Sequence, residues 1–593
     1  MYQHLALSTL LATALAVPAQ LPRATSQYDY IVVGGGTSGL VVANRLSEDP
    51  AVSVAIIEAG ASVFNNPNVT TTTGYGNAFG TSIDWAYESE AQIYAENKTQ
   101  VLRAGKALGG TSTINGMTYM RAETGQIDAW AKVGNNVTWD SLLPYYKKSE
   151  GFQVPTAAQV QDGSTYQVSA HGFHGPLTVG WPSQMVGNNF SGILNASFNS
   201  VGLPWNGEPN NGYMRGFNIF PKTLNPTTSI REDAARAYYF PISTRANLHL
   251  YQNSSVERLT WEEASHGSDP SVNGVVFTDA SGNQHQLSVK KEVVLSAGAL
   301  RSPLILEQSG VGNKKTLEKL GIEVKVDLPF VGENLQDQTT IDTAYAAKEN
   351  FTGSGGFIGY YNAEDVFGRH AAHTISKTIR SSIPAYAKKV VEASGNVVSQ
   401  AAIEKLLEIQ HKIVFDDKAV IAEIIVNAPS GGMAGIEYWG LIPFSRGSIH
   451  ITSANASAPA SINPNYFMLD WDVQQQVGTA RKAREIANAT PLNDSYGAES
   501  TPGLAVVPAN ATEEVWAHWL KSSYRSNFHY ISTAAMMSRE LGGVVDSDHL
   551  VYGTANVRVV DASVLPFQVS GHLTSTLYAL AERAADRIKA RHA

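Results

Sequence analysis

Apolar positions along the chain change their period several times, and each change marks an element. Residues 30–33 (YIVV) form an unbroken apolar run, 40–46 carry helical spacing, and 52–57 form a second apolar run. Short continuous runs suit strands buried on both faces, so this stretch predicts a strand–helix–strand crossover in a parallel sheet. The alternation returns at 292–295, where an apolar strand leads into an apolar helix that stops at Ser309 and Gly310. Residues 385–417 read as helical, with Val390, Val391, Val397, Val398, Ile403, Leu406 and Leu407 offering buried faces. From 439 to 467 apolar and polar positions alternate in the manner of sheet strands, and 571–591 close the chain with a helix whose stripe is Leu573, Leu577, Leu580 and Ala584. No internal repeat or low-complexity linker interrupts this order.

The first crossover carries chemistry. Gly34, Gly36 and Gly39 fill a G-x-G-x-x-G turn, with Thr37 and Ser38 between them, and Glu58 ends the second strand at the distance of about 20 residues expected of a ribose-binding acid. Gly34 permits the tight turn, Gly36 lets backbone amides approach a pyrophosphate, and Gly39 allows helix and strand to touch, while the helix N-terminus faces the negative charge. With no basic residue beside Glu58, a 2′-phosphate is disfavoured, which leaves NAD or FAD.

A second glycine-rich stretch, RAGKALGGTSTINGMTYMRA (103–122), favours FAD, because a tightly held flavin needs further backbone along its length. Gly105, Leu108, Gly109, Gly110, Thr111, Ser112, Ile114 and Asn115 fall at the spacing of the first signature of the glucose-methanol-choline (GMC) oxidoreductases, and SAGALRSPLILEQSGVG (296–312) resembles the second. GENLQDQ (332–338) is similar to a further family segment, with Gln338 where many members have histidine. The resemblance spans nearly all of the mature chain. It implies an α/β fold in which a Rossmann-like FAD-binding domain is interleaved with an α+β substrate domain on a six-stranded antiparallel sheet. The N-terminal region would run over 28–338 with a substrate-domain insertion at about 155–221; 340–540 would be mainly substrate domain, and 541–593 the return to the FAD-binding domain. It also implies that Gly110, Thr111, Asn115, Gly116, Met117 and Thr118 lie along the cofactor, Val256 touches the adenine, and Asp561 and Ala562 meet the cofactor from the returning strand.

Alcohol oxidation by a flavin requires a base for the hydroxyl proton, and histidine suits that step. Two of the 15 histidines, His529 and His572, occupy the family's catalytic segments. By the resemblance, His529 is the base and His572 a hydrogen-bonding partner of the same oxygen. Arg525 and Asn527 precede His529 by four and two residues, so an extended segment would put all three on one face. With Glu437 they resemble the sugar-contacting positions of fungal FAD-dependent glucose dehydrogenases. The implied activity is oxidation of the C1 hydroxyl of β-D-glucose or a similar aldose, with electrons passed to a quinone or other acceptor. Oxidase chemistry with O₂, an aryl-alcohol substrate and a non-redox homologue are the alternatives. One departure stands out: Tyr530, Ile531 and Ser532 follow His529 where close relatives have proline, a branched apolar residue and glycine. Tyr530 is expected to narrow the pocket. The pairs His171/His174 and His370/His373 have metal-compatible spacing but no completing ligands, so no metal is expected.

Composition narrows the setting. The 593 residues contain no cysteine, which excludes thiol catalysis, disulfides and iron–sulfur clusters. A net charge of −9 without a basic run argues against nucleic-acid partners. Residues 1–19 read as a secretion signal, too short an apolar run to span a bilayer, and no later stretch would cross a membrane. Eleven Asn-x-Ser/Thr sequons, among them Asn68, Asn136 and Asn455, agree with a secreted, N-glycosylated protein.

Overall fold

The computed structural model describes residues 27–263 and 268–593; the expected signal segment lies outside the described residues. Two seven-stranded sheets organise the chain. In the first, the strands run in the order Leu248–Tyr251, Val54–Ile57, Gln27–Val33, Gln284–Leu295, Val272–Thr278 and Ser255–Trp261, and Val557–Val559 adds beside Gln284–Leu295. The apolar runs of the crossover are the central parallel strands, buried on both faces as their composition requires.

Register turns these strands into a site. Val33 lies opposite both Ile57 and Leu295, Ile57 opposite Tyr251, and Leu295 opposite Val559. All five parallel strands therefore end on one line, and the residues that follow, Gly34, Glu58, Ser296 and Asp561 among them, form a crevice at their carboxyl ends, where ligands of open α/β sheets bind. Helices Thr37–Leu46 and Leu573–Arg591 are tied together by Arg45, whose Nη2 lies 2.7 Å from Glu582 Oε1.

The second sheet is antiparallel. Its path of six strands runs Tyr496–Thr501, Thr339–Ala347, Met433–Gly440, Val420–Ser430, Phe357–Asn362 and Gly216–Ile219, and Arg525–Ser526 pairs with Thr339 and Thr340 as a seventh. The chain thus enters this sheet from both sides of Gln284–Leu295 in sequence. Two expectations need adjusting. The helical stretch starts earlier and is broken: Arg369–Ala393 ends before Gly395 and Asn396, both at positive φ, and Gln400–His411 restarts where the Ser399 side chain caps Ala402 N. The alternating stretch at 439–467 contributes only the pair Ser448–His450 and Ser461–Asn463 beyond the end of Met433–Gly440, since Pro443, Pro459 and Pro464 interrupt pairing.

Two histidines outside the crevice hold the layers together as ions. His450 Nδ1 is 2.7 Å from Glu307 Oε1 and its Nε2 is 3.2 Å from Glu333 Oε1, so both ring nitrogens face carboxylates. His171 does the same between Glu150 and Glu208, at 2.9 Å on each side, and Glu150 also takes Arg121 Nη2 at 2.7 Å. Only an imidazolium can donate from both nitrogens. Burial opposes the charge on His450, but the bonds from Glu307 and Glu333 outweigh it and lift its pKa to about 10. His171 is shifted the same way, by Glu150 and Glu208 against burial. Of the pair His171/His174, His171 therefore belongs to a structural ion cluster with Glu150, Glu208 and Arg121, and among the described residues no group of three or more ligands is placed to hold a metal.

Because its folded pKa is raised, the stabilisation from His450 is complete below about pH 6.5 and is lost as pH rises toward about 10. His450→Gln is expected to cost about 3 kcal/mol at pH 6. Thermal midpoints of the two proteins should converge toward pH 10; a gap that persists there would contradict the assignment.

Candidate active site

One cavity runs along the crevice and between the two sheets. At its floor three backbones touch. A Cβ on Gly34, whose φ is +102°, would stand 2.4 Å from the Ser296 carbonyl oxygen, and a Cβ on Gly110, at φ +55°, would stand 2.7 Å from Gly36 Cα. The two glycine-rich stretches thus meet backbone to backbone. Gly39 does not line the cavity; its hydrogen replaces a Cβ that would lie 2.0 Å from the Gly34 carbonyl oxygen, so it serves helix–strand packing.

The other residues expected at the cofactor do line this cavity: Gly34, Gly36, Thr37, Ser38, Glu58, Gly110, Thr111, Asn115, Gly116, Met117, Thr118, Val256, Asp561 and Ala562. Glu58 accepts the amides of Gly35 at 2.8 Å and Gly60 at 2.7 Å. Burial raises its pKa to about 7 while those amides pull it back. Asp561 accepts from Gly298 N at 2.9 Å, Ser302 Oγ at 2.5 Å, and both the amide and hydroxyl of Ser563. Its carboxylate is saturated by protein donors, so it pins the Gly298 turn to the returning strand. Asn115 Oδ1 accepts from Met117 N at 3.0 Å and Arg231 Nη1 at 2.7 Å, which orients the adjoining wall. A long groove of bare backbone with an acid at one end and amides at a helix start fits an extended dinucleotide such as FAD.

The second half of the cavity holds the histidines. His529 and His572 face each other with ring centroids 5.4 Å apart at 83°. His572 Nε2 lies 2.8 Å from Glu423 Oε1, leaving Nδ1 as its remaining nitrogen. His529 Nδ1 lies 2.8 Å from Gln338 Oε1. Gln338 cannot turn its amide around, because its Nε2 already donates to the Leu441 carbonyl at 2.8 Å. An amide oxygen carries no proton, so the shorter contact, to Gln338, takes His529 Nδ1 as the donor and leaves Nε2 as the acceptor; the Asn527 amide nitrogen also lies 3.0 Å from Nδ1. Burial, reinforced by His572 and Arg525, holds the His529 pKa well below the ordinary histidine value, so the ring is neutral. Asp337 accepts the His529 amide at 2.9 Å and the hydroxyls of Ser526 and Tyr466, which fixes the backbone beneath it.

The expected common face of Arg525, Asn527 and His529 is not formed. Extension ends at Ser526, and Phe528 takes a left-handed φ of 62°. Asn527 and His529 line the cavity, whereas Arg525 stands behind its wall, bonded to Glu437, which does line it. Asn527 is also occupied: its Oδ1 accepts from Thr340 Oγ1 at 2.6 Å, and its Nδ2 lies 3.2 Å from Gln338 Oε1 and 3.0 Å from His529 Nδ1. Tyr530 lines the cavity with its hydroxyl turned to Ser526 Oγ at 2.9 Å. Sequence reasoning gave no role to Gln338 and passed over Asp337, Glu423 and the aromatic wall of Tyr75, Phe79 and Trp439. Glu423 had a signal, since it is a lone acid inside the apolar run VIAEIIV (420–426) and is 1% exposed.

Ser532 explains the glycine of close relatives. Its φ is +76°, a conformation that costs a side chain about 1 kcal/mol. The serine compensates with its hydroxyl, which donates to the Leu565 carbonyl and accepts from Gln336 Nε2 at 2.8 Å. Ser532→Ala, which keeps the strain and loses both bonds, is expected to lose about 2 kcal/mol. Ser532→Gly should lose about 1 kcal/mol less than the alanine. Thermal midpoints read by flavin release rank the two, and the reverse order would refute this account.

Comparison with known proteins agrees with this geometry. Residues 28–340 and 443–581 match the N- and C-terminal models of the GMC oxidoreductases. The chain is 45% identical over 98% of its length to a glucose oxidase-like protein, fsoC, of Humicola fuscoatra, covering 99% of that protein. It is 35% identical over 95% of its length to a glucose oxidase of Penicillium chrysogenum, covering 92% of it. Among solved structures it superposes on an FAD-dependent oxidoreductase from Chaetomium thermophilum with a TM-score of 0.86, at 29% identity, covering 95% of this chain and 99% of that one. A fungal aryl-alcohol oxidase follows at a TM-score of 0.85, 27% identity and the same coverages. Among the described residues no helix is long and apolar enough to cross a membrane. With both family models matched and the nucleotide crevice, cavity and histidine pair in place, the chain belongs to the GMC oxidoreductase family, FAD-dependent enzymes that act on CH–OH groups.

Proposed function

We propose that the protein oxidises the C1 hydroxyl of β-D-glucose or a similar aldose to the lactone, with His529 as the base. The observation that carries this reading is the neutral His529 ring, whose Nδ1–H is committed to Gln338 and whose Nε2 stays open as an acceptor. The substrate hydroxyl gives its proton to Nε2. His572, held through Nε2 by Glu423, offers Nδ1 to the same oxygen. Bound FAD supplies the two-electron acceptor that takes hydride from the carbinol carbon. Glu437, charge-balanced by Arg525, and the Asn527 amide beside it offer polar groups to a polyol on the cavity wall. Two similar relatives carry glucose oxidase in their names, which supports a sugar substrate.

The electron acceptor in this proposal is a quinone or another organic acceptor, with O₂ as the competing one, and the setting is a secreted, N-glycosylated protein. An aryl-alcohol substrate is the second reading. It is favoured by the aromatic wall of Tyr75, Phe79 and Phe528 and by the aryl-alcohol oxidase among the structural neighbours.

Anaerobic addition of glucose to the holoenzyme should bleach the flavin; bleaching by benzyl alcohol and none by glucose would transfer the assignment to the second reading. His529→Ala should retain FAD and slow the reduction by about 10²- to 10⁴-fold. Since the His529 pKa is depressed, the wild-type reduction rate should be flat from about pH 6.5 upward. Gln338→Glu places a carboxylate beside the Nδ1–H and favours the charged ring, so the acid limb of the pH profile should move up by about one to three units. An unmoved limb would show that Gln338 does not act through His529.

A further inference from the structure

Among the described residues Lys222 is a cation without a charged partner on the wall of the cavity. It follows the edge strand Gly216–Ile219, and its backbone is fixed by Gly180, whose carbonyl accepts Lys222 N at 2.7 Å and whose N donates back at 3.0 Å. The neighbouring Thr223 N donates to the Met117 carbonyl at 2.8 Å, so the segment is laced to the stretch that lines the cofactor half of the cavity. Lys222 lines the cavity, as do Phe220, Gly356, Asn427 and Thr118. Its amine makes no ion pair or hydrogen bond among the described residues; its one recorded contact is the Phe220 ring, 5.9 Å from the ring centre.

The surroundings offer it no anion. The one charged group that acts on it is Arg231, of the same sign, and burial followed by this repulsion lowers its pKa to about 8, which still leaves the amine charged at neutral pH. Arg231 is 2% exposed and bonds neutral acceptors: the carbonyls of Val69 and Ser112 and the side chain of Asn115. Asp233, the acid nearest to it in effect, is 3.5 Å from Arg236. Across the cavity Glu437 is taken by Arg525. A largely desolvated charge without a counter-charge is costly. A lone ammonium facing a ligand cavity, with a second cation near it, is the arrangement of an anion-recognition point.

We infer that Lys222 receives the carboxylate of an acidic sugar, a uronic acid whose free C1 hydroxyl is oxidised at His529. The carboxylate takes no part in the chemistry; the C1 proton and hydride leave as in the preceding subsection, on whose reading this inference rests.

Binding can be separated from oxidation by blocking C1. Methyl β-D-glucuronide and methyl β-D-glucoside differ only at C6, and neither can be oxidised at the anomeric carbon. Calorimetry with the oxidised holoenzyme should give a dissociation constant at least about tenfold lower for the glucuronide. Lys222→Met, checked for full flavin content, should bring the ratio of the two constants close to one, and Lys222→Arg should preserve it. Equal constants in the wild type, or an unchanged ratio in Lys222→Met, overturns the inference. Anaerobic bleaching with glucose and glucuronate is the separate check on the reaction: tight glucuronide binding without bleaching by either sugar would leave the anion site standing and refute sugar oxidation.

Discussion

The crevice depends on close approach between main chains. Gly34 touches the Ser296 carbonyl and Gly110 lies against Gly36, at distances that no Cβ could share. Each contact joins segments far apart in sequence, so the crevice exists only when the N-terminal crossover, the second glycine stretch and the long strand Gln284–Leu295 have met. The common end line of five parallel strands follows from the same packing, because the register that aligns Val33 with Ile57 and Leu295 also delivers Glu58 and Asp561 to the crevice. The antiparallel sheet is then threaded through this frame from both sides, and the cavity is the space left between the two.

Without disulfides, polar burial supplies much of the cross-linking. The half-buried His450 and the buried His171 each join two carboxylates from separate segments, an arrangement of value only while the ring is charged. The reaction cavity uses the same low dielectric in the opposite sense. His529, with no carboxylate touching its ring, is kept neutral by burial and by the neighbouring His572 and Arg525, and its tautomer is set by an amide that a carbonyl holds in place. Charge on imidazole is thus assigned by what each nitrogen faces: two acids make a structural cation, one amide oxygen makes a base.

Legibility in the sequence followed a physical line. The crossover glycines, Glu58 and the second signature were readable because backbone contact and positive φ restrict the residue type so strongly that spacing alone identifies them. The two central histidines were found by their segments. The face shared by Arg525, Asn527 and His529 was misjudged because strand periodicity assumes extension, and Phe528 leaves it at φ 62°. Gln338, Asp337 and Glu423 received no role, since an amide or acid shows its purpose only through the group it touches, and those groups lie one hundred or more positions away.

The amino-acid order alone specified the parallel crossover, the cofactor class and the family, because each rests on local constraints: apolar period, glycine geometry and fixed offsets within a few turns of chain. It also showed that Ser532 was anomalous, without a reason. The orientation of His529, the ionic state of His450 and the isolation of Lys222 were settled by packing, because protonation and pairing depend on distances between residues one hundred or more positions apart, and no periodicity encodes such a distance.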